Sequence, residues 1–141
     1  MNQAQALLQA HFDTFVANPE KWKSLISDDI VWELPYAAGL GHPSRLTGRD
    51  EVLGHVGWFI GAVEDFRFYD LQINAFADDS KAVAQVKAEG RIKTTGRIYR
   101  QAYVLFEEVE NGRLKFIREY FDPIQAAHAL DEEIKQPTDL F

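Results

Sequence analysis

The sequence predicts an α+β fold: a curved antiparallel sheet whose open side is closed by N-terminal helices over a small-molecule pocket. Three observations predict it. Helical periodicity dominates the chain up to Glu64-Asp65. Beyond that point the apolar period becomes alternating. The alternating runs are joined by short segments of hairpin chemistry.

Each element follows from local pattern. From Gln3 to Val16, residues Ala4, Leu8, Phe12, Phe15 and Val16 recur at helical spacing. Asn18-Pro19 ends that helix and starts a second, with Asn18 as N-cap, Pro19 at the first position, and Trp22, Leu25 and Ile26 as its stripe. Ile30 to Leu34 reads as a strand with Ile30, Trp32 and Leu34 on one side, and is expected at the sheet edge. Gly39 to Gly48 is loop-like. Thr47 is the expected cap of a third helix, with Asp50 and Glu51 in the first turn and Val52, Val56, Phe59, Ile60 and Val63 as its stripe. Its glycines, Gly54 and Gly57, suggest close packing. Strand-like runs follow over roughly Phe66–Ala77, Ala82–Thr94, Ile98–Val109 and Leu114–Phe121. Such long strands must twist and coil, which makes one face concave. Ile124 to Leu130 forms a short last helix. Residues 1–130 are expected as a single domain, with 131–141 a loosely ordered charged tail containing Pro137.

Composition narrows the function. The chain has 141 residues, no cysteine and a net charge of -7. Thiolate chemistry and Cys-ligated zinc are excluded. A surplus of acid argues against nucleic acid as a partner. The amino terminus carries no basic residue before an apolar run, and no stretch reaches bilayer length, so a cytoplasmic protein is expected. His11, His42, His55 and His128 show no metal-ligand spacing, so neither metal nor cofactor is expected.

Register decides which side chains face the hollow. A two-residue Thr95-Gly96 turn pairs Ala88 with Tyr103 and Ile92 with Tyr99. Ala82, Ala84, Val86, Ala88, Gly90 and Ile92 then share a face with Tyr99, Gln101, Tyr103 and Leu105. Small residues beside polar-tipped rings suit a cavity; they equally suit a core with the third helix lying on the alanines. The next hairpin is open. A two-residue Asn111-Gly112 turn pairs Glu119 with Val104 and turns it outward. A three-residue loop from Glu110 pairs it with Tyr103 and turns it inward.

Gly48-Arg49-Asp50-Glu51, Tyr99-Arg100-Gln101-Ala102-Tyr103, Glu110-Asn111-Gly112 and Arg118-Glu119-Tyr120-Phe121-Asp122-Pro123 together resemble the nuclear transport factor two-like superfamily. Within it they are similar to the SnoaL-like and ketosteroid-isomerase-like branch, and most of all to the phenazine biosynthesis A/B proteins. The resemblance runs from about Gln3 to Leu130. It implies a cone-shaped, cystatin-like, ketosteroid-isomerase-like α+β barrel, usually a homodimer through the outer sheet face. It also implies that Glu119 lies in the pocket, which favours the three-residue loop. In the phenazine proteins a pocket glutamate and a histidine act on a cyclohexenone-type amine, roles that fall on Glu119 and His55. Those proteins carry histidines where this chain has Ala102 and Leu105, so their substrate does not carry over.

The candidate catalytic residues are therefore Glu119, His55 and Tyr103. A carboxyl in an apolar hollow is raised toward useful acid–base range. The competing role for Glu119 is a strand glutamate paired with Arg100 or Arg118. His55 lies near the edge of the helical stripe and titrates near neutrality. Trp32, Phe59, Tyr99, Gln101 and Ile117 are expected to contact the ligand, although rings such as these more often fill cores. Arg49 and Asp50 could form an ion pair, but a helix start explains both. The outer face would show Val104, Phe106, Phe116 and Tyr120, an apolar stripe suited to a second copy. Function stays open among acid–base isomerase, cyclase or condensation enzyme, ligand-binding protein and dimeric scaffold.

Overall fold

A computed structural model describes residues 2–135. Its helices are α1 (Gln3–Thr14), α2 (Pro19–Lys23), α3 (Arg49–Ala62) and α4 (Pro123–Leu130). Its strands are β1 (Ile26–Glu33), β2 (Arg45–Thr47), β3 (Val63–Ala75), β4 (Lys81–Ile92), β5 (Ile98–Glu110) and β6 (Arg113–Tyr120). A 3-10 turn spans Ala37–Leu40. The strands make one curved, unclosed sheet in the order β2-β1-β6-β5-β4-β3. The expected α+β cone is thus observed, with two corrections to the sheet. β1 is interior, because the unforeseen β2 takes the edge. β1 also runs parallel to β6, with Trp32 opposite Ile117, so the sheet is mixed rather than wholly antiparallel.

The caps explain the helices. Asn2 and Gln5 form a capping box on α1. Asn18 caps α2 with Pro19 in its first turn. For α3 the N-cap is Gly48 at φ 88°, not Thr47. The Glu51 carboxylate instead turns back to accept from the Thr47 amide. Arg49 forms no ion pair among the described residues; its guanidinium donates to the carbonyls of Lys23 (2.7 Å) and Ile26 (3.1 Å). That grip anchors the start of β1.

The helices divide the work. α1 packs across β3, β4 and β5, and it is this helix, not α3, that covers the alanine row. α3 bridges β1 and β3, closing the open side. Only Val52 of α3 is fully buried, and Gly54 and Gly57 have open space around them rather than close packing. Val16 is exposed, so the stripe of α1 ends at Phe15. Close packing does occur at Gly90, where a Cβ would stand 2.5 Å from Val63 Cγ1.

Two hairpins set the inner face. The β4–β5 register pairs Ala88 with Gln101 and Gly90 with Tyr99, two residues from the expected pairing. A slip of two preserves the face, so the predicted row of small residues beside Tyr99, Gln101, Tyr103 and Leu105 stands. The β5–β6 turn is the two-residue kind, with Asn111 at φ 53° and Gly112 at φ 74°. It does not turn Glu119 outward. The register shifts by one between Glu108 and Val109, with Val109 opposite Leu114 and Glu108 opposite Phe116. Lys115 is the extra residue of a β-bulge. The bulge places Glu119 opposite Leu105, on the inner face.

The tail is held as far as it is described. Glu132 N–H donates to Ala127 O at 2.9 Å, and Lys135 N–H to Gly39 O at 2.6 Å. Residues 131–135 thereby strap back over the 3-10 turn. Residues 136–141, with Pro137, lie outside the described residues. No described helix is long and apolar enough to cross a membrane.

Candidate functional site

Between α1, α3, α4 and the inner sheet face lies an apolar cavity that opens to solvent at a mouth. Its wall is largely aromatic: Phe12, Phe15, Trp32, Phe59, Phe66, Phe68, Tyr99, Tyr103 and Phe121. The rings pack edge to face, for example Phe59 on Phe66 at 5.1 Å and Phe12 on Phe68 at 4.9 Å.

Glu119 is the carboxylate in that wall. Burial pushes its carboxyl up from 4.5 to about 8. Near neutral pH it is therefore mostly protonated, with a usable ionised fraction. Neither Arg100 nor Arg118 holds it: both guanidiniums pair elsewhere, with Glu89 and Glu33.

Tyr103 and Tyr99 stand on β5 and share a hydrogen bond between hydroxyls at 3.0 Å. Burial raises both phenols, so both remain neutral. One hydroxyl hydrogen serves the pair, and the other is free for a ligand. His55 lines the cavity from α3. Its pKa is lowered, first by burial and then by His42. Trp58, 43% exposed, stands between the rings of His42 (5.0 Å) and His55 (5.5 Å), which marks this cluster as the mouth. His42 Nε2 lies 2.9 Å from Glu132 Oε1, tying the strap to the rim.

The cavity thus gathers Glu119, His55, Tyr103, Trp32, Phe59 and Tyr99 from the expected set. Gln101 and Ile117 fall elsewhere. Gln101 clasps the backbone of Asp122, donating to its carbonyl at 2.7 Å and accepting from its amide at 2.8 Å. Asp122 caps α4, so Gln101 fixes where that helix begins. Ile117 is fully buried between Trp32 and Glu107 in the ladder, packed into the core below the cavity.

Two polar wall residues escaped sequence reasoning. His11 sits in the buried stripe of α1, three residues after Leu8 and four before Phe15, a polar residue where the pattern asks for an apolar one. His42 lies in a loop whose path no local pattern specifies. Glu107 was also missed: it continues the inner alternation of β5 yet is 1% exposed, with both oxygens unpartnered. Among the described residues no group of three or more His, Asp or Glu side chains is placed to hold a metal.

Residues 8–117 match the family profile described as a SnoaL-like domain. An uncharacterised Bacillus subtilis protein, YesE, is 26% identical over 110 residues, which cover 78% of this chain and 74% of the relative. A Bacillus subtilis crystal structure provisionally described as an isomerase superposes with a TM-score of 0.83 at 23% identity, covering 95% of this chain and 96% of that one. The phenazine biosynthesis-related protein phzb2 of Pseudomonas aeruginosa gives 0.78 at 19% identity, over 95% and 84%. At these identities the structural likeness concerns the fold.

Proposed function

The chain belongs to the SnoaL-like family, and from that premise we propose that it is a cofactor-independent acid–base enzyme. Its substrate is a small, largely apolar carbonyl or cyclic metabolite, which it isomerises, cyclises or condenses. One observation carries this: Glu119, with its carboxyl raised to about 8, faces a cavity walled mostly by aromatic rings.

The chemistry follows from the groups present. The ionised Glu119 takes a proton from carbon next to a carbonyl, and the C–H electron pair moves onto the carbonyl oxygen. Neutral donors stabilise that oxygen: the spare hydroxyl of the Tyr99–Tyr103 pair, and His55 at the mouth. Glu119 then returns the proton at another carbon, or the new carbanion attacks an electrophile. Ketosteroid isomerase, which sets a carboxyl base beside neutral donors in an apolar site, works by this logic.

The test is a pH profile alongside one variant. A base of pKa about 8 should give kcat/KM that rises about tenfold per unit below pH 7 and levels above pH 8. E119Q should keep ligand binding and lose that turnover. Binding without any turnover in the parent protein would instead support a ligand carrier.

We also propose that two copies meet through the outer sheet face. Phe76, Phe106, Tyr120 and Tyr36 form a continuous string of rings, with centroids 6.3, 6.3 and 5.5 Å apart. Val104 and Phe116 flank it on the same face, and Arg118 lies over the Phe116 ring. Sedimentation should give a dimer, and F106E a monomer. A parent protein that sediments as a monomer at micromolar concentration refutes this interface.

A further inference from the structure

His11 has a fixed tautomer. Trp22 Nε1 donates to His11 Nδ1 at 3.0 Å, and both side chains are 2% exposed. An indole N–H can only donate, so Nδ1 must be bare. The imidazole hydrogen therefore sits on Nε2. A charged ring would need hydrogen on both nitrogens, which the indole forbids. Burial acts in the same direction and lowers the pKa to about 3.

The Nε2–H meets no acceptor among the described residues, and His11 is part of the cavity wall. It is not sealed by packing, in contrast to the unpartnered Trp32 Nε1. Around it stand the rings of Phe12 at 4.7 Å, Phe15 at 5.4 Å and Trp32 at 6.0 Å. A single neutral donor in such surroundings suits an uncharged oxygen. It cannot hold an ammonium, and it is too little to offset the desolvation of a carboxylate.

We propose that His11, held by Trp22 as the Nε2–H tautomer, is a further donor, in addition to the Tyr99–Tyr103 pair and His55, that seats an oxygen of a flat, uncharged ring ligand bearing a carbonyl or phenol-type oxygen. This rests on the cavity being a ligand site and deepens that reading, but it does not depend on Glu119 acting as a base. His11 contributes a hydrogen bond and no proton transfer. Trp22 is a positioning residue that acts through the tautomer.

The test uses the full chain labelled with nitrogen-15 in its histidines, with 2-naphthol and naphthalene as probes. In the free protein, His11 should show a bare Nδ1 and a protonated Nε2, unchanged down to pH 5. Saturating 2-naphthol should shift the His11 Nε2–H resonance downfield; naphthalene should not. H11F should weaken 2-naphthol binding by about tenfold or more while leaving naphthalene within about twofold. W22F should mix the two tautomers and weaken 2-naphthol by a few fold, an effect that a purely structural indole would not produce. Four outcomes overturn the proposal. They are an Nδ1–H tautomer, an unmoved Nε2 resonance at 2-naphthol saturation, no saturable 2-naphthol binding, and equal loss of both probes in H11F. If H11F fails to fold, the resonances of the parent protein still decide. Should E119Q keep full turnover while these resonances behave as expected, the acid–base reading fails and the oxygen seat stands.

Discussion

Glu107 and Glu119 are diagonal neighbours on the inner face of one sheet. Glu107 pairs with Ile117, and Glu119 pairs with Leu105. Burial raises both carboxyls, to about 9 and about 8. Their surroundings differ in one respect. Glu119 fronts a cavity, whereas Glu107 is packed in the row Ala82, Glu107, Ile117, Trp32 with no space before it. A raised carboxyl therefore does not mark a site by itself. Access to open space is the second requirement, and of the two Glu119 alone lines the cavity.

The sharpest way to break this comparison is a pair of isosteric variants. E119Q should lower turnover by roughly 10³, the range of a lost general base, while E107Q should leave it within about twofold. Equal losses would mean that both carboxyls serve the reaction.

Stability should reverse the ranking. Between 4.5 and about 9, folded Glu107 keeps a proton that the unfolded chain has released. Stability is thus full below 4.5 and falls as pH rises through that window. E107Q removes the ionisable group, so it should be more stable than the parent at pH 9, by a few kcal/mol, and close to it at pH 5. Thermal melts at the two pH values check this. His11 slopes the other way. Its folded pKa of about 3 lies below 6.5, so its contribution is lost as pH drops from 6.5 toward 3.

The smallest effect should come from deleting Lys115. The bulge lets Leu114 and Ile117 both face inward although they are three positions apart. Without Lys115 the ladder becomes regular, and Glu119 keeps its place opposite Leu105. Turnover within about threefold of the parent and a melting point within a few degrees are expected. Loss of activity would show that the bulge does more than set the face.

That bulge also marks the limit of what the sequence could tell. The positions of the hairpins along the chain, the Asn18-Pro19 cap and the alternation that builds the inner face were legible, because each depends on residues within a few positions; the Thr95-Gly96 turn was not, since the loop is longer than two residues and Ala88 pairs with Gln101. The orientation of Glu119 was not, since one extra residue in a strand leaves turn chemistry untouched and reverses every side chain beyond it. Resemblance pointed inward through a three-residue loop; the direction holds, and the device is a bulge beyond a two-residue turn. The apolar pair at Leu114 and Ile117 was the available clue. Gln101 had the right face but the wrong depth, because a clasp on a distant backbone is invisible to alternation. His11 was legible only as a misfit in an apolar stripe.

The parallel pairing of β1 with β6 has a consequence in time. Arg118 Nε donates to Glu33 across 85 residues of chain. Such a contact closes a long loop, and its ordering entropy is met before the contact returns anything. β1 cannot take its interior place until β6 has been made. During synthesis α1, α2, α3 and the earlier strands wait with an open seam, and the strand bearing Glu119 is the one that closes it. The cavity's carboxyl and the closing of the sheet thus arrive together.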